Sequence, residues 1–121
     1  MKFELTQEFY FEAAHTLDRK IDAEASRRIH GHTYHAEVSA VGVPDPKTGM
    51  LIDLAKLQQL ISEVRDQLDH RFLDDVAGLG APTLERLCEY IATSLTPMLP
   101  TLTRISVSRR ASGDRCTLYL E

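Results

Sequence analysis

Five histidines, His15, His30, His32, His35 and His70, are the residues best suited to chemistry, and two of them stand two apart in His30-Gly31-His32. Alternate side chains of an extended strand share a face, so His30 and His32 aim the same way at a spacing that lets two imidazoles hold one metal ion. Gly31 carries no side chain, which leaves the opposite face open to close approach by a ligand or a second backbone. A complete zinc site needs at least one more protein ligand, and a catalytic one keeps a position open for water or substrate. Strand ends from separate segments converge in a folded sheet, so His15 could join the pair as a third ligand. The competing reading is that His30 and His32 are two polar strand residues and nothing more. His35 has the opposite parity, points to the other face, and is left out of the site.

Asp69-His70 offers a different chemistry. A carboxylate beside an imidazole orients it and raises its basicity, making a proton-transfer unit near neutral pH. On sequence alone an equally good account has the two residues finishing a helix, with His70 near the negative end of its dipole. Glu85, in the first turn of a later helix, likewise has the plain reading of a favourable charge at a helix N-terminus.

These residues need a scaffold. Lys2 to His15 is rich in Phe and Tyr, and Phe9, Phe11, Ala13 and His15 recur with period two, which predicts a long strand ending in a histidine. Thr16 to Arg28 is charged and aperiodic and reads as a loop, the kind of segment that carries chemistry easily. His32 to Val43 alternates again, and the turn Pro44-Asp45-Pro46-Lys47-Thr48-Gly49 closes that strand. Met50-Leu51-Ile52 reads as a short extended piece.

Asp53 is placed to cap a helix from about Leu54 to Leu68, in which Leu57, Leu60, Ile61, Val64 and Leu68 recur at helical spacing. A second helix follows from about Thr83 to Leu95 and ends before Pro97 and Pro100. Strands near Arg104–Arg110 and Arg115–Leu120 flank a hairpin turn at Ala111-Ser112-Gly113-Asp114. The order strand, strand, helix, helix, strand, strand predicts an α+β domain, one face of its sheet covered by helices and its antiparallel edges left to pair between subunits.

A chain of 121 residues with 43% hydrophobic and 26% charged residues and a net charge of -4 fits one soluble domain spanning residues 1–121. Neither the charge nor the apolar runs suggest a nucleic-acid or membrane partner, and the acidic start Met1-Lys2-Phe3-Glu4 does not resemble a signal peptide. A cytoplasmic location is expected. Cys88 and Cys116 lack C-x-x-C spacing and read as buried thiols.

Five motifs in register carry a resemblance. Phe11-Glu12-Ala13-Ala14-His15, His30-Gly31-His32, Leu51-Ile52-Asp53-Leu54, Leu68-Asp69-His70-Arg71-Phe72-Leu73-Asp74 and Pro82-Thr83-Leu84-Glu85 together resemble the family of 6-pyruvoyltetrahydropterin and 6-carboxytetrahydropterin synthases. The short chain and its Val43–Met50 turn resemble the carboxy branch more closely. The resemblance implies a tunnelling fold (T-fold), ββααββ, with a four-stranded antiparallel sheet and two helices on one face. It implies homo-oligomers in which trimeric barrels stack as a hexamer. It also implies zinc on His15, His30 and His32, a substrate such as dihydroneopterin triphosphate, and a cysteine base working with an Asp-His pair supplied across a subunit interface, here Asp69 and His70. Thr83 and Glu85 match positions that contact the pterin ring. The implied activity is that of a zinc-dependent carbon–oxygen or carbon–carbon lyase.

Two positions depart from the family pattern. The family cysteine, four residues before His30, is Ser26, whose hydroxyl is a far poorer proton acceptor than a thiol. Its role then falls to His70 alone, to Glu24 or Asp22 of the same loop, or to a different reaction. The glutamate that accepts two N–H bonds from the pterin is matched by Arg109, a donor in place of an acceptor, and each ring N–H left unpaired would cost ~1–3 kcal/mol. The chain therefore reads as a diverged lyase, or alternatively as an idle or substrate-switched paralogue that keeps the metal and binds another, acidic ligand.

Overall fold

Alternation in the first segment builds the sheet. A computed structural model describes all 121 residues, and in it β1 (Phe3–His15) buries Phe11, Ala13 and His15 while Glu4, Glu8, Tyr10 and Glu12 stay exposed. β1 pairs along its whole length with β2 (His30–Gly42) in antiparallel register, setting Phe11 opposite Tyr34, Ala13 opposite His32 and His15 opposite His30. β3 (Leu102–Arg109) and β4 (Asp114–Tyr119) complete a four-stranded antiparallel sheet in the order β1-β2-β3-β4. The β3–β4 turn brings Arg109 opposite Asp114 through Gly113, whose φ of 78° suits a residue without Cβ.

Between β1 and β2 lies a short helix, α1 (Ala23–Arg27), and after β2 come α2 (Leu54–Leu68) and α3 (Leu84–Leu95). The Asp53 carboxylate caps α2 by accepting the Ala55 N–H at 2.9 Å, and the Thr83 hydroxyl caps α3 by accepting the Arg86 N–H at 3.2 Å. Leu57, Ile61, Val64 and Leu68 of α2 and Leu87, Ile91 and Leu95 of α3 are buried against the sheet face that carries Phe11, Ala36, Val38, Ile105 and Val107. Each of these large side chains contributes roughly 1.5–3 kcal/mol by leaving water. Phe11 and Tyr34 stack at 5.0 Å between ring centroids at the histidine end of this core.

The expected α+β architecture is present, with differences in detail. The Thr16–Arg28 segment, read as a loop, contains α1, too short for an apolar period to betray it. β2 begins at His30 rather than His32 and β3 at Leu102, because pairing with neighbours, not alternation, sets where a strand ends. Met50-Leu51-Ile52 is no strand but a bend into α2, and Leu73–Asp75 forms one 3₁₀ turn. Cys88 is buried on α3 and donates its thiol hydrogen to the Cys116 carbonyl at 3.5 Å, while Cys116 is half-buried on β4. No helix is long and apolar enough to cross a membrane.

Candidate metal centre and its surroundings

The register of β1 with β2 brings three imidazoles together on the helix-covered face of the sheet, beyond the ends of α2 and α3. His15, His30 and His32 offer nitrogen atoms that all lie within 4.8 Å of one another. Tetrahedral zinc with nitrogens at ~2.0–2.1 Å needs them nearer ~3.4 Å, a contraction that small side-chain rotations supply. The tautomers are arranged for this. His15 Nδ1 lies 3.1 Å from the Thr16 carbonyl and His30 Nδ1 lies 2.7 Å from the Arg28 carbonyl, so each Nδ1–H donates to a backbone oxygen and Nε2 keeps its lone pair. His15 Nε2 is buried and has no hydrogen-bond partner, a costly state for a ring nitrogen unless something binds it. Burial lowers the pKa of His15, and burial followed by the Arg109 charge brings that of His32 down to about 4, so both rings are neutral and able to ligate at neutral pH.

The anchors of these anchors are mostly acidic. Asp74 accepts the Thr16 N–H at 2.9 Å and the Thr16 hydroxyl, which fixes the peptide that holds His15. Asp114 grips Arg109 with two bonds, from Nε at 2.9 Å and from the terminal NH2 at 2.6 Å. The pair holds the Asp114 carboxyl below its ordinary pKa and raises that of Arg109. The remaining arm of Arg109, NH1, lies 3.4 Å from His32 Nε2.

Two adjoining cavities open beside the triad. The larger, of about 500 Å³, is lined by all three histidines together with Asp22, Ser26, Arg109 and Asp114. The smaller, of about 170 Å³, is lined by His15, Tyr34, Thr83, Glu85 and Arg109. The structure thus gathers Ser26, Thr83, Glu85 and Arg109 around the three histidines. Ser26 is buried, donates its hydroxyl to the Ala23 carbonyl at 2.9 Å and accepts the Arg19 N–H at 3.3 Å. Glu24 pairs with Arg28 at 2.9 Å, whereas Asp22 lines the larger cavity.

Asp69 and His70 lie elsewhere. They follow α2 along the outer edge of β1, where His70 N–H donates to the Glu12 carbonyl at 2.6 Å and Asp69 accepts the Glu12 N–H at 2.9 Å. His70 lines a cavity of about 520 Å³ with Glu12, Ala14, Gly31 and Thr33 of the outward sheet face, and His32 also borders it. Gly31 serves that outward cavity, the opening expected of a residue without a side chain. His35 also stays outward, opposite Tyr10. Asp74, Asp114 and Arg19 were not legible as site residues: Asp74 stands in a motif but acts on Thr16, 58 positions away, and Asp114 and Arg19 act through turn contacts that residue types alone do not specify.

The fold and the three convergent histidines define a T-fold protein with a candidate metal centre. A family model described as 6-pyruvoyl tetrahydropterin synthase matches residues 4–120. A 6-carboxy-5,6,7,8-tetrahydropterin synthase of Synechocystis is 34% identical over 94 residues, 74% of this chain and 71% of that protein. A dihydroneopterin monophosphate aldolase of Pyrococcus furiosus is 31% identical over 100 residues, covering 83% and 81%. The solved Caenorhabditis elegans 6-pyruvoyl tetrahydropterin synthase superposes with a TM-score of 0.85 at 26% identity, covering 100% of this chain and 97% of that one. The chain belongs to the 6-pyruvoyl tetrahydropterin synthase family.

Proposed function

We propose that this chain is a zinc-dependent lyase acting on dihydroneopterin triphosphate or a related pterin. The observation that carries the reading is the triad itself: two Nδ1–H groups tied to carbonyls and a buried His15 Nε2 with no partner in the protein. His15, His30 and His32 would hold the ion, and bound zinc would supply Lewis-acid polarisation of substrate oxygens, acidifying the neighbouring C–H groups.

The chain's own residues divide the remaining work. Thr83 and Glu85 line the smaller cavity, where Glu85 can accept N–H bonds from a ring edge. Asp69 orients His70 for proton transfer. Because this pair sits at the outer edge of β1 and lines neither of the two cavities beside the triad, it suits service to a neighbouring subunit in a homo-oligomer, and a hexamer of two stacked trimers is the assembly proposed. The edge of β4 and the Phe3–Phe9 part of the β1 edge, beyond the stretch that Arg65 and residues 69–72 already cover, are the surfaces such an assembly would join. Ser26 holds the loop over the site, its hydroxyl hydrogen committed to Ala23, and Asp22 is the carboxylate of that loop that reaches the cavity.

Elemental analysis should find about one zinc per chain, lost in His32→Ala with the fold retained. Full metal content in that variant would refute the ligand set. A second reading, that of an idle or substrate-switched paralogue, is favoured by Arg109 standing where the family has an acceptor. Binding of a dihydropterin triphosphate without product would select it.

A further inference from the structure

We propose that Arg109, locked in place by Asp114, is an oxyanion receptor on the wall of the metal centre and takes a phosphate or carboxylate group of the substrate. The inference rests on the zinc reading above and names the charge of the ligand that completes it. Asp114 occupies Nε and one terminal nitrogen of the guanidinium and leaves NH1 free of any carboxylate. The one acceptor near NH1 is His32 Nε2 at 3.4 Å, and a histidine that gives that lone pair to a metal has none left for Arg109. NH1 is then open to a new acceptor, and an anion placed between the guanidinium and the metal ion is attracted by both charges.

The distribution of charge locates that anion. Arg19 and Arg109 line both cavities and so flank their junction together with His15; Arg19 lies 3.8 Å from the Asp22 carboxylate, and Glu85 lines only the smaller cavity. Asp114, the remaining carboxylate, has both oxygens taken by Arg109. Arg109 NH1 is therefore the cationic donor at the junction that no carboxylate occupies, and a guanidinium fixed by two bonds presents its free N–H groups to an oxyanion without first having to be ordered. Asp114 acts here as a positioning residue.

The test uses the full chain loaded with Co²⁺ in place of zinc, so that the visible bands of the ion report on its surroundings, and inorganic phosphate as the probe. Phosphate should change the cobalt spectrum of the wild type. In Arg109→Gln its affinity should fall at least tenfold at unchanged cobalt content. The double variant Arg109→Gln/Asp114→Asn keeps an amide pair across the hairpin, guards against local unfolding, and should show the same loss. Asp114→Asn alone should fall in between, and Arg109→Lys should recover part of the affinity. A parallel titration with acetate distinguishes a phosphate from a carboxylate preference. Stoichiometric cobalt with equal phosphate affinity in wild type and both Arg109→Gln proteins overturns the proposal and leaves the metal reading standing. Failure of the wild type to bind cobalt overturns both.

Discussion

His70 donates its Nδ1–H to the carboxylate of its own chain neighbour, Asp69, at 2.8 Å. Adjacent residues seldom meet this way, and the contact is made possible by a left-handed backbone at His70, with φ of 57°, that turns the ring back onto Asp69. The same conformation lets the His70 N–H bond the Glu12 carbonyl, so the dyad and the edge of β1 are fixed together.

That conformation separates the ring's role from the backbone's. An alanine at position 70 keeps the left-handed strain, whereas glycine removes it. His70→Gly is expected to be more stable than His70→Ala by about 1 kcal/mol in urea unfolding. Both variants should keep their metal, because His70 lies outside the triad, and both should lose turnover by a factor on the order of 100, the usual contribution of a positioned acid or base. Equal stability of the two variants would show that the strain is not borne by this residue.

Asp69 makes stability depend on acid. Its carboxyl is held below the ordinary carboxylate range, first by the Glu12 N–H, then by His70 and Arg65. The folded protein therefore keeps this group ionised at a pH where the unfolded chain, titrating near ~3.9, has begun to take up a proton. The contribution is fully present above that value and fades as the pH falls through the lower folded value. Asp69→Asn should lower the urea midpoint at pH 6, and the gap to wild type should close as the pH is taken below ~4. A gap that stays constant over that range would count against the ionised contact.

Much of this molecule is legible in its sequence because alternation and helical spacing respond to burial, and burial builds the fold. The parity of His30 and His32 places both on one face before any coordinate is known and sends His35 to the other, whereas His15 could be offered only as a convergent strand end and it is the β1–β2 register that sets it opposite His30. The chain neighbours Asp69 and His70 could be paired on paper, but not the left-handed turn that makes the pair, since nothing in the residue types demands it. Arg109 gave a charge in the wrong place for a pterin, and only the hairpin register reveals Asp114 opposite it. Asp74 was hidden for the same reason: it reaches Thr16 across 58 positions of chain, and no periodicity encodes such a contact.

Asp74 should matter to metal binding although it touches no histidine ring. Its carboxylate holds the Thr16 N–H and hydroxyl, and the Thr16 carbonyl receives the Nδ1–H of His15. Asp74→Ala strips the N–H of its acceptor and frees the peptide, with an expected loss of about 1–3 kcal/mol of stability. Removing a direct partner of a metal ligand typically weakens the metal about 10- to 100-fold, and Asp74, one contact further out, is expected to cost about 10-fold, the lower end of that range. Competition with a chelator measures the affinity. Asp74→Asn, which retains one acceptor oxygen, should lie between the alanine variant and the wild type.

Ser26 provides the sharpest division between holding a site and working in it. The side chain is buried against the larger cavity, yet its hydroxyl hydrogen goes to the Ala23 carbonyl and its oxygen accepts the Arg19 N–H. The Ser26 backbone reinforces the same loop, its N–H donating to the Asp22 carbonyl at 2.9 Å and its carbonyl accepting the Leu17 N–H at 2.6 Å. A hydroxyl so engaged is a loop fastener, and a neutral hydroxyl, too weak an acid to supply an alkoxide near pH 7, is a poor base in any case. Ser26→Ala should therefore cost about 1 kcal/mol of stability, the net worth of a typical internal hydrogen bond. Zinc content and turnover per bound zinc should stay within about twofold of wild type, since a group outside the proton path leaves the barrier unchanged. A loss on the order of 100-fold in turnover, with fold and metal intact, would instead put the hydroxyl in the proton-transfer step. Asp22→Asn on the same loop supplies the contrast: if the carboxylate that reaches the cavity takes the proton, that variant loses turnover at unchanged zinc content while Ser26→Ala does not.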